Sequence, residues 1–299
     1  MRSQLPWIVS LAAVGVVLAG CNHTEAPLPP IPGHLAFVSN RGRTGLQYDI
    51  FAMGADGTGL VNLTDSLAYD DWPAWSPDHA KIAFQSDRVV NAAQPLDIFV
   101  MNADGTNVVQ LTKDTTQERQ PAWSPDGAKI AFASNREGKL HIFTMNAADG
   151  SGVTRLTTGV QTDAQPAWSP AGTKIAFATN RDLNEEVYVM NPDGTSPVNL
   201  TNNPASDAGP AWSPDGKKIA FMSTRVGGTE QIFVMNADGT GVVQVTSASV
   251  GAEYPSWSPD GAYLAFDSDF HIWVVKPDGS DAREITGGTV EDHFPRWRP

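Results

Sequence analysis

The stretch QPAWSPDGAKIAFASNREGKLHIFTMNAADGSGVTRLT, residues 120–157, contains four short apolar phrases that decide the fold of this chain. The first two are joined by Ser-Pro-Asp-Gly and the last two by Asn-Ala-Ala-Asp-Gly. These joints favour tight turns, because Asp and Gly accept backbone conformations that other residues resist. The third phrase is apolar on both faces, which is typical of a sheet packed between two others. The stretch therefore predicts a four-stranded antiparallel unit.

This unit occurs six times along the chain. The tryptophan of the first phrase recurs every 40–48 residues, at Trp75, Trp123, Trp168, Trp212, Trp257 and Trp297. Four-stranded units repeated at this interval and packed face to face form a β-propeller. A linear solenoid is the less favoured alternative, because neither end carries a polar capping repeat. We predict an all-β, six-bladed propeller over residues 34–299.

The two ends of the repeat predict how the ring closes. The first copy starts at its second phrase, LAFVS (residues 35–39), whereas the chain finishes on a lone first phrase, FPRWRP (residues 294–299). We expect the C-terminal strand to complete the N-terminal blade, and this closure limits the entropy gained when the ring opens.

Residues 1–21 have the layout of a secretory signal. Arg2 is followed by an apolar run from Trp7 to Leu18, which is too short for an ordinary membrane-spanning helix. The ending Leu-Ala-Gly-Cys resembles the lipobox of bacterial lipoproteins, a family in which the cysteine is acylated and becomes the mature N-terminus. We therefore expect a signal peptide at 1–20, a lipid on Cys21 and a proline-rich tether at 21–33. A plain signal peptide with an incidental cysteine is the alternative.

Composition narrows the partners and the location. The chain has 20 Lys and Arg against 33 Asp and Glu, a formal charge of −13, so nucleic acid is a poor partner. A single cysteine excludes an intramolecular disulfide. Asn22 after the cysteine favours the outer membrane over the inner one, since Asp at that place is a retention signal in some lipoproteins.

The phrases PAWSPDG, KIAF, IFVMN, DGT and LT resemble the propeller domain of the TolB family over residues 34–299. TolB is the periplasmic component of the Tol–Pal system, so the resemblance implies a protein-binding module of the bacterial envelope. TolB carries an α/β domain before its propeller, whereas only residues 22–33 stand in that place here. Similar repeats occur in oligogalacturonide lyases and beside the hydrolase domains of prolyl oligopeptidase-like enzymes.

The strand order separates two faces of the propeller. The Ser-Pro-Asp-Gly and Asn-x-Asp-Gly turns share one face, which we call the turn face. The links that follow the second and fourth strands share the other, the loop face. Links on the loop face vary in length, and variable loops on a rigid scaffold are where binding residues concentrate. We therefore predict the functional site on the loop face.

Acidic residues enter the inner strands on that face. They stand three residues before the motif proline, or two in the fifth copy, at Asp70, Glu118, Asp163, Asp207, Glu253 and Asp292. Carboxylates gathered around the channel attract a cation or a basic peptide. Alternatively, they pair with arginines on the same face, Arg41, Arg88, Arg136, Arg181 and Arg225. Blade six has Phe270 in place of the arginine, and we expect a free carboxylate near Asp292.

Two further residues complete the predicted partner-binding or ligand-binding set. The six repeated tryptophans are expected in the core between blades, but Trp72 lies outside the repeat and is a candidate contact residue. His293 follows Asp292 and has the chemistry of a general base.

The sequence predicts a binding protein rather than an enzyme, because it contains no G-x-S-x-G, no HExxH and no paired cysteines. We expect a monomeric, lipid-anchored envelope protein without cofactor or metal, which binds an envelope protein or a peptidoglycan-associated partner. The alternative is a hydrolase or lyase that acts on an oligosaccharide in the channel.

Overall fold

The computed structural model describes residue 31 and residues 33–43, 47–88, 96–247 and 249–299. The compact unit is Ile31–Pro299, and its described residues form strands and turns with no α-helix. Accordingly, none of the described residues belongs to a helix long and apolar enough to cross a membrane. The predicted signal peptide and Cys21 lie outside the described residues.

The described chain forms six four-stranded antiparallel sheets, numbered here as blades in chain order. Blade one contains β1 (His34–Ser39), β2 (Asp49–Gly54), β3 (Val61–Asn62) and the C-terminal β24 (Asp292–Trp297). Blade two contains β4 (Asp70–Trp75), β5 (Lys81–Ser86), β6 (Asp97–Asn102) and β7 (Val109–Gln110). Blade three contains β8 (Glu118–Trp123), β9 (Lys129–Glu137), β10 (Lys139–Asn146) and β11 (Thr154–Arg155).

The other three blades follow the same order. Blade four contains β12 (Asp163–Trp168), β13 (Ile175–Thr179), β14 (Glu186–Met190) and β15 (Val198–Asn199). Blade five contains β16 (Asp207–Trp212), β17 (Lys218–Ser223), β18 (Gln231–Asn236) and β19 (Val243–Gln244). Blade six contains β20 (Glu253–Trp257), β21 (Leu264–Ser268), β22 (His271–Val275) and β23 (Arg283–Glu284). The predicted six-bladed propeller is confirmed.

The ring closes through the C-terminal strand, as the repeat register predicts. β24 is antiparallel to β1, with Trp297 opposite Leu35 and Asp292 opposite Ser39. Trp297 is buried in an apolar cluster with Leu35 and Phe37. Both ends of the chain therefore hold one blade together.

The repeated tryptophans join neighbouring blades. The indole N–H of Trp123 donates to the carbonyl oxygen of Ala74 in the preceding blade, at 3.1 Å. Trp257 donates in the same way to Ala211, also at 3.1 Å. Trp123 and Trp257 therefore pack between blades, as predicted, and all six repeated tryptophans also line the cavity formed by the inner strands.

Removing residues 294–299 should destabilise the whole propeller. The truncation leaves the edge of β1 unpaired and removes the buried Trp297. Losing a large buried aromatic side chain costs about 3–5 kcal/mol, so we expect the melting temperature to fall by roughly 10 °C or more. Thermal unfolding followed by circular dichroism measures this change. An unchanged melting temperature would contradict closure through β24.

Candidate functional site

Five of the predicted acids begin inner strands on the loop face and are fully buried: Asp70, Glu118, Asp163, Asp207 and Asp292. Each forms an ion pair with the arginine at or just beyond the end of the second strand of its own blade. The Nη2–carboxylate distances are 2.7 Å for Arg88–Asp70, 3.2 Å for Arg136–Glu118, 3.0 Å for Arg181–Asp163 and 2.9 Å for Arg225–Asp207, and Arg41 pairs with Asp292 in the same way. The alternative in which these acids are internally paired is therefore the one that the structure shows.

Asp292 itself is not the predicted free carboxylate. Asp292 belongs to β24 and hence to blade one, where Arg41 is available to pair with it. The blade that lacks an arginine is blade six, which has Phe270 at the arginine position and Ala252 at the acid position. Its acid is Glu253, one residue further along β20.

The residue after the repeated acid position is ionisable in four adjacent blades. These residues are Glu253, His293, Asp71 and Arg119 in blades six, one, two and three, whereas blades four and five have alanine, at Ala164 and Ala208. Asp267 lies directly across the sheet from Glu253. Glu253, Asp267 and His293 therefore come together where blade six meets blade one.

His293 pairs with Asp267 and not with its sequence neighbour Asp292. Its Nδ1 lies 3.0 Å from Asp267 Oδ2, which joins blade one to blade six. Burial lowers the pKa of His293, but the hydrogen bond to Asp267 and the nearby carboxylates outweigh burial and raise it above its ordinary value. Burial raises the pKa of Asp267. A hydrogen-bonded histidine and carboxyl group therefore occupy the boundary between these two blades.

Asp267 and Glu253 both have unused acceptor capacity. The Asp267 side chain is only 6% exposed, and its Oδ1 atom has no hydrogen-bond partner among the described residues. Glu253 has neither a hydrogen-bond partner nor an ion-pair partner among the residues that the structure describes. Burial, together with the charges of Asp267 and Glu230, raises the pKa of Glu253 to about 7.

Two cavities on the loop face meet at these residues. A cavity of about 520 Å³ is lined by Tyr48, Tyr69, Tyr254, Phe294, Glu253 and His293, among others. A second, of about 270 Å³, is lined by Glu253, His293, Asp267, Ser268, Asp269 and Phe270, among others. Because they share Glu253 and His293, we treat them as one site and call it the acidic pocket. Aromatic rings beside carboxylates suit an organic cation.

Asp71 lies in the inner strand of blade two and is buried. It accepts hydrogen bonds from the backbone N–H of Trp72 and, at 3.3 Å, from Gln85 Nε2. Burial raises its pKa to about 7.

Trp72 packs at the central channel. Its ring stacks on Phe294 with centroids 4.6 Å apart and meets Tyr254 edge-on at 5.2 Å. It also lines a cavity of about 470 Å³ formed by the inner strands, where Arg296 lies over its ring at 5.4 Å. The structure therefore brings Glu253 and His293 together and places Trp72 in this aromatic cluster. The five other acids each pair with an arginine of their own blade, and Asp163 also pairs with His141 of blade three at 3.1 Å.

Sequence reasoning missed Asp71 and Asp267, as well as the tyrosines of the acidic pocket. A comparison of the repeats contains the signal for Asp267, because the matching positions are Gln85, Ala133, Ala178 and Met222. Tyr48 and Tyr69 come from links between strands, where the repeat gives no alignment.

The fold and the site together define a β-propeller whose repeated ion pairs are interrupted by one non-repetitive pocket. Among the described residues, no group of three or more His, Cys, Asp or Glu side chains is placed to hold a metal ion. The chain belongs to the TolB beta propeller domain family, whose model matches residues 89–165 and 160–299.

Solved structures agree with this assignment. TolB from Acinetobacter baumannii is 23% identical with a TM-score of 0.77, and the match covers 89% of this chain and 67% of that one. Putative TolB from Agrobacterium tumefaciens is 21% identical with a TM-score of 0.69, over 90% of this chain and 99% of that one. Oligogalacturonate lyase from Vibrio parahaemolyticus is 12% identical with a TM-score of 0.57, over 84% and 74%. These identities show the fold alone, and no curated protein matches the chain.

The raised pKa of Asp71 predicts how its removal changes stability with pH. Its pKa is about 7 when folded, against an ordinary 3.8, so between pH 4 and 7 the folded protein keeps a proton that the unfolded chain releases. Stability from this group is therefore present below pH 4 and is lost as pH rises to 7. The parent loses this contribution as pH rises, whereas Asp71→Asn does not. We therefore expect the free energy of unfolding of Asp71→Asn, relative to that of the parent, to be higher at pH 7.5 than at pH 4.5, as measured by urea unfolding.

The matched control is Asp78→Asn, on an exposed turn where the hydrogen bond from Ser76 lowers the carboxyl pKa. Its stability relative to the parent should stay constant from pH 4.5 to 7.5, since the Asp78 carboxyl is ionised throughout. If the stability difference between Asp71→Asn and the parent is also the same at pH 4.5 and pH 7.5, Asp71 is ionised in the folded protein at pH 4.5 and the prediction is wrong.

Proposed function

We propose that this chain is a non-enzymatic, lipid-anchored envelope protein whose propeller binds a partner protein through its loop face. The observation that carries the proposal is the set of large apolar side chains exposed on that face. The acidic pocket lies on the same face, and membership of the TolB beta propeller domain family is consistent with a binding module.

The exposed apolar side chains are spread over the loop face. They occupy links after the second or fourth strands, at Leu67, Val160, Leu183, Val226, Val250 and Phe270. Leu183 is 100% exposed, Val160 88% and Leu67 80%. Single exposed apolar residues are ordinary, and we take the presence of six of them on the face that carries the acidic pocket as support for a binding role there. The remaining exposed apolar residues lie on or beside the outer strands, as Val198 and Val243 do.

Charge favours a partner segment with basic residues. The chain carries a formal charge of −13, and the acidic pocket adds Glu253 and Asp267 without a matching arginine. A partner that presents both apolar and basic side chains would meet complementary groups on this face.

The proposed anchor is connected to the opposite face. β1 begins at His34 on the turn face and runs toward the loop face. After removal of a signal peptide at 1–20, a tether at 21–33 with a lipid on Cys21 would therefore be joined to β1 at the turn face, and not at the partner surface. We propose that the protein acts as a monomer at the outer membrane, facing the periplasm.

An oligosaccharide hydrolase or lyase has less support. Arg41 pairs with Asp292, the acid that precedes His293 in the sequence. His293 does pair with Asp267, but no nucleophile motif accompanies this pair in the sequence. The likeness to the lyase rests on 12% identity.

Affinity capture from envelope extract tests the proposal. The bait is residues 22–299, which contain the compact unit, compared with the same bait carrying Leu183→Ser and Val226→Ser. We expect a partner that the parent retains and the loop-face variant loses. The control carries Val198→Ser and Val243→Ser on outer strands, where exposure is comparable to that of Val226, and should retain the partner. Equal capture by all three baits would contradict binding through the loop face.

A further inference from the structure

We propose that the blade-six cavity of the acidic pocket binds a guanidinium group, the side chain of an arginine supplied by the partner. This assignment rests on the proposed binding function and names the chemical group that is recognised. The protein's own arginines show how a blade of this propeller binds such a group.

Blade two shows the arrangement. Arg88 Nη2 lies 2.7 Å from Asp70 Oδ1, and Arg88 Nε donates to Ser86 Oγ at 3.0 Å. The guanidinium carbon lies 4.9 Å from the ring centroid of Phe84 and 5.1 Å from that of Phe99. The group is therefore bound by a carboxylate, a hydroxyl and two aromatic faces.

Blades three to five repeat this arrangement. The Nε atoms of Arg136, Arg181 and Arg225 donate to the hydroxyl of Ser134, Thr179 and Ser223 at 2.9–3.2 Å. Each of these guanidinium groups also lies within 5.6 Å of two aromatic ring centroids. The arrangement is therefore a property of the blade rather than of one sequence copy.

Blade six keeps part of the surroundings of this arginine. Ser268 stands at the position of Ser86, and the paired residues Phe266 and Trp273 stand at those of Phe84 and Phe99. Ala252 replaces the acid, and Phe270 takes the arginine position and is 56% exposed. The hydroxyl and the paired aromatic residues are therefore present in this blade, whereas its acid is Glu253, one residue further along β20.

The cavity of about 270 Å³ lies at this place, since Ser268, Asp267, Glu253 and Phe270 all line it. A water molecule takes up about 30 Å³ in the liquid, so the cavity has room for a guanidinium group and part of its alkyl chain. Its mouth is on the loop face, where Phe270 and Val250 also form part of the apolar surface.

The unused acceptors in the cavity match a planar donor group. Asp267 is more than nine-tenths buried with its Oδ1 atom unpartnered, and Glu253 has no partner among the described residues. A guanidinium group presents five N–H donors in a plane and stacks on aromatic rings, whereas a lysine ammonium is a compact and strongly hydrated charge. The donors therefore match the carboxyl groups of Glu253 and Asp267, and an arginine fits this site better than a lysine.

N-acetyl-arginine amide, added to residues 22–299 and followed by ¹H–¹⁵N NMR, tests the assignment. We expect saturable shifts at the backbone amides of Ser268 and Phe270. N-acetyl-citrulline amide, which has the same shape without the charge, should cause none, and N-acetyl-lysine amide should bind more weakly. Equal shifts with citrulline or lysine amide, or no saturable shift with arginine amide, would overturn the assignment.

Variants locate the site. Glu253→Gln and Asp267→Asn should each weaken arginine amide binding about tenfold or more, because each removes a charge that faces the cation. Asp193→Asn on an exposed turn serves as the control and should leave binding unchanged, and thermal melts confirm that all three variants fold. Unchanged affinity in both pocket variants would show that the amide binds elsewhere.

The two proposals fail separately. If arginine amide does not bind but the loop-face serine variant still loses its partner, the guanidinium assignment is wrong and the binding function holds. If arginine amide binds in the pocket but that variant keeps its partner, binding through the loop face is wrong.

Discussion

The carboxylates that begin the inner strands are withdrawn from water, where an ionised acid without a counter-ion costs several kcal/mol. In blades one to five the cost is offset by an arginine from the same blade, as with Asp207 and Arg225 at 2.9 Å. This pairing also orients the arginine across the paired aromatic rings of the blade, at Phe221 and Phe233 for Arg225. In these five blades the packing beneath the loop face depends on this one interaction.

Blade six avoids a buried carboxylate without a counter-ion in a different way. Ala252 and Phe270 replace the acid and the arginine, so the blade needs no ion pair at that position. Glu253 and Asp267 then bring carboxyl groups back beside the gap, with His293 of blade one as the nearby partner of Asp267. A position that is structural in five blades thus borders the cavity that we propose as a binding site in the sixth, beside the exposed side chains of Phe270 and Val250.

The fold was predictable because its signals are local and repeated. Ser-Pro-Asp-Gly turns, the interval between tryptophans and the lone final phrase predict the blades and their closure through β24. The sequence also identifies the repeated acids. However, it links the missing arginine of blade six to Asp292, which belongs to blade one. Asp292 comes last in the chain, although it lies in the first blade beside Arg41. The partnership of Asp267 with His293 spans two blades, and no pattern within one repeat contains it. The lipid on Cys21 stays a prediction.

A crystal structure of the Ala252→Asp, Phe270→Arg double variant tests most directly whether the blade-six cavity is the position of a missing arginine. The account predicts that the introduced guanidinium lies over Phe266 and Trp273, donates to Ser268 and pairs with the introduced carboxylate at hydrogen-bond distance, which fills the cavity. An introduced side chain that extends into solvent, with the cavity unchanged beside Glu253 and Asp267, would contradict it.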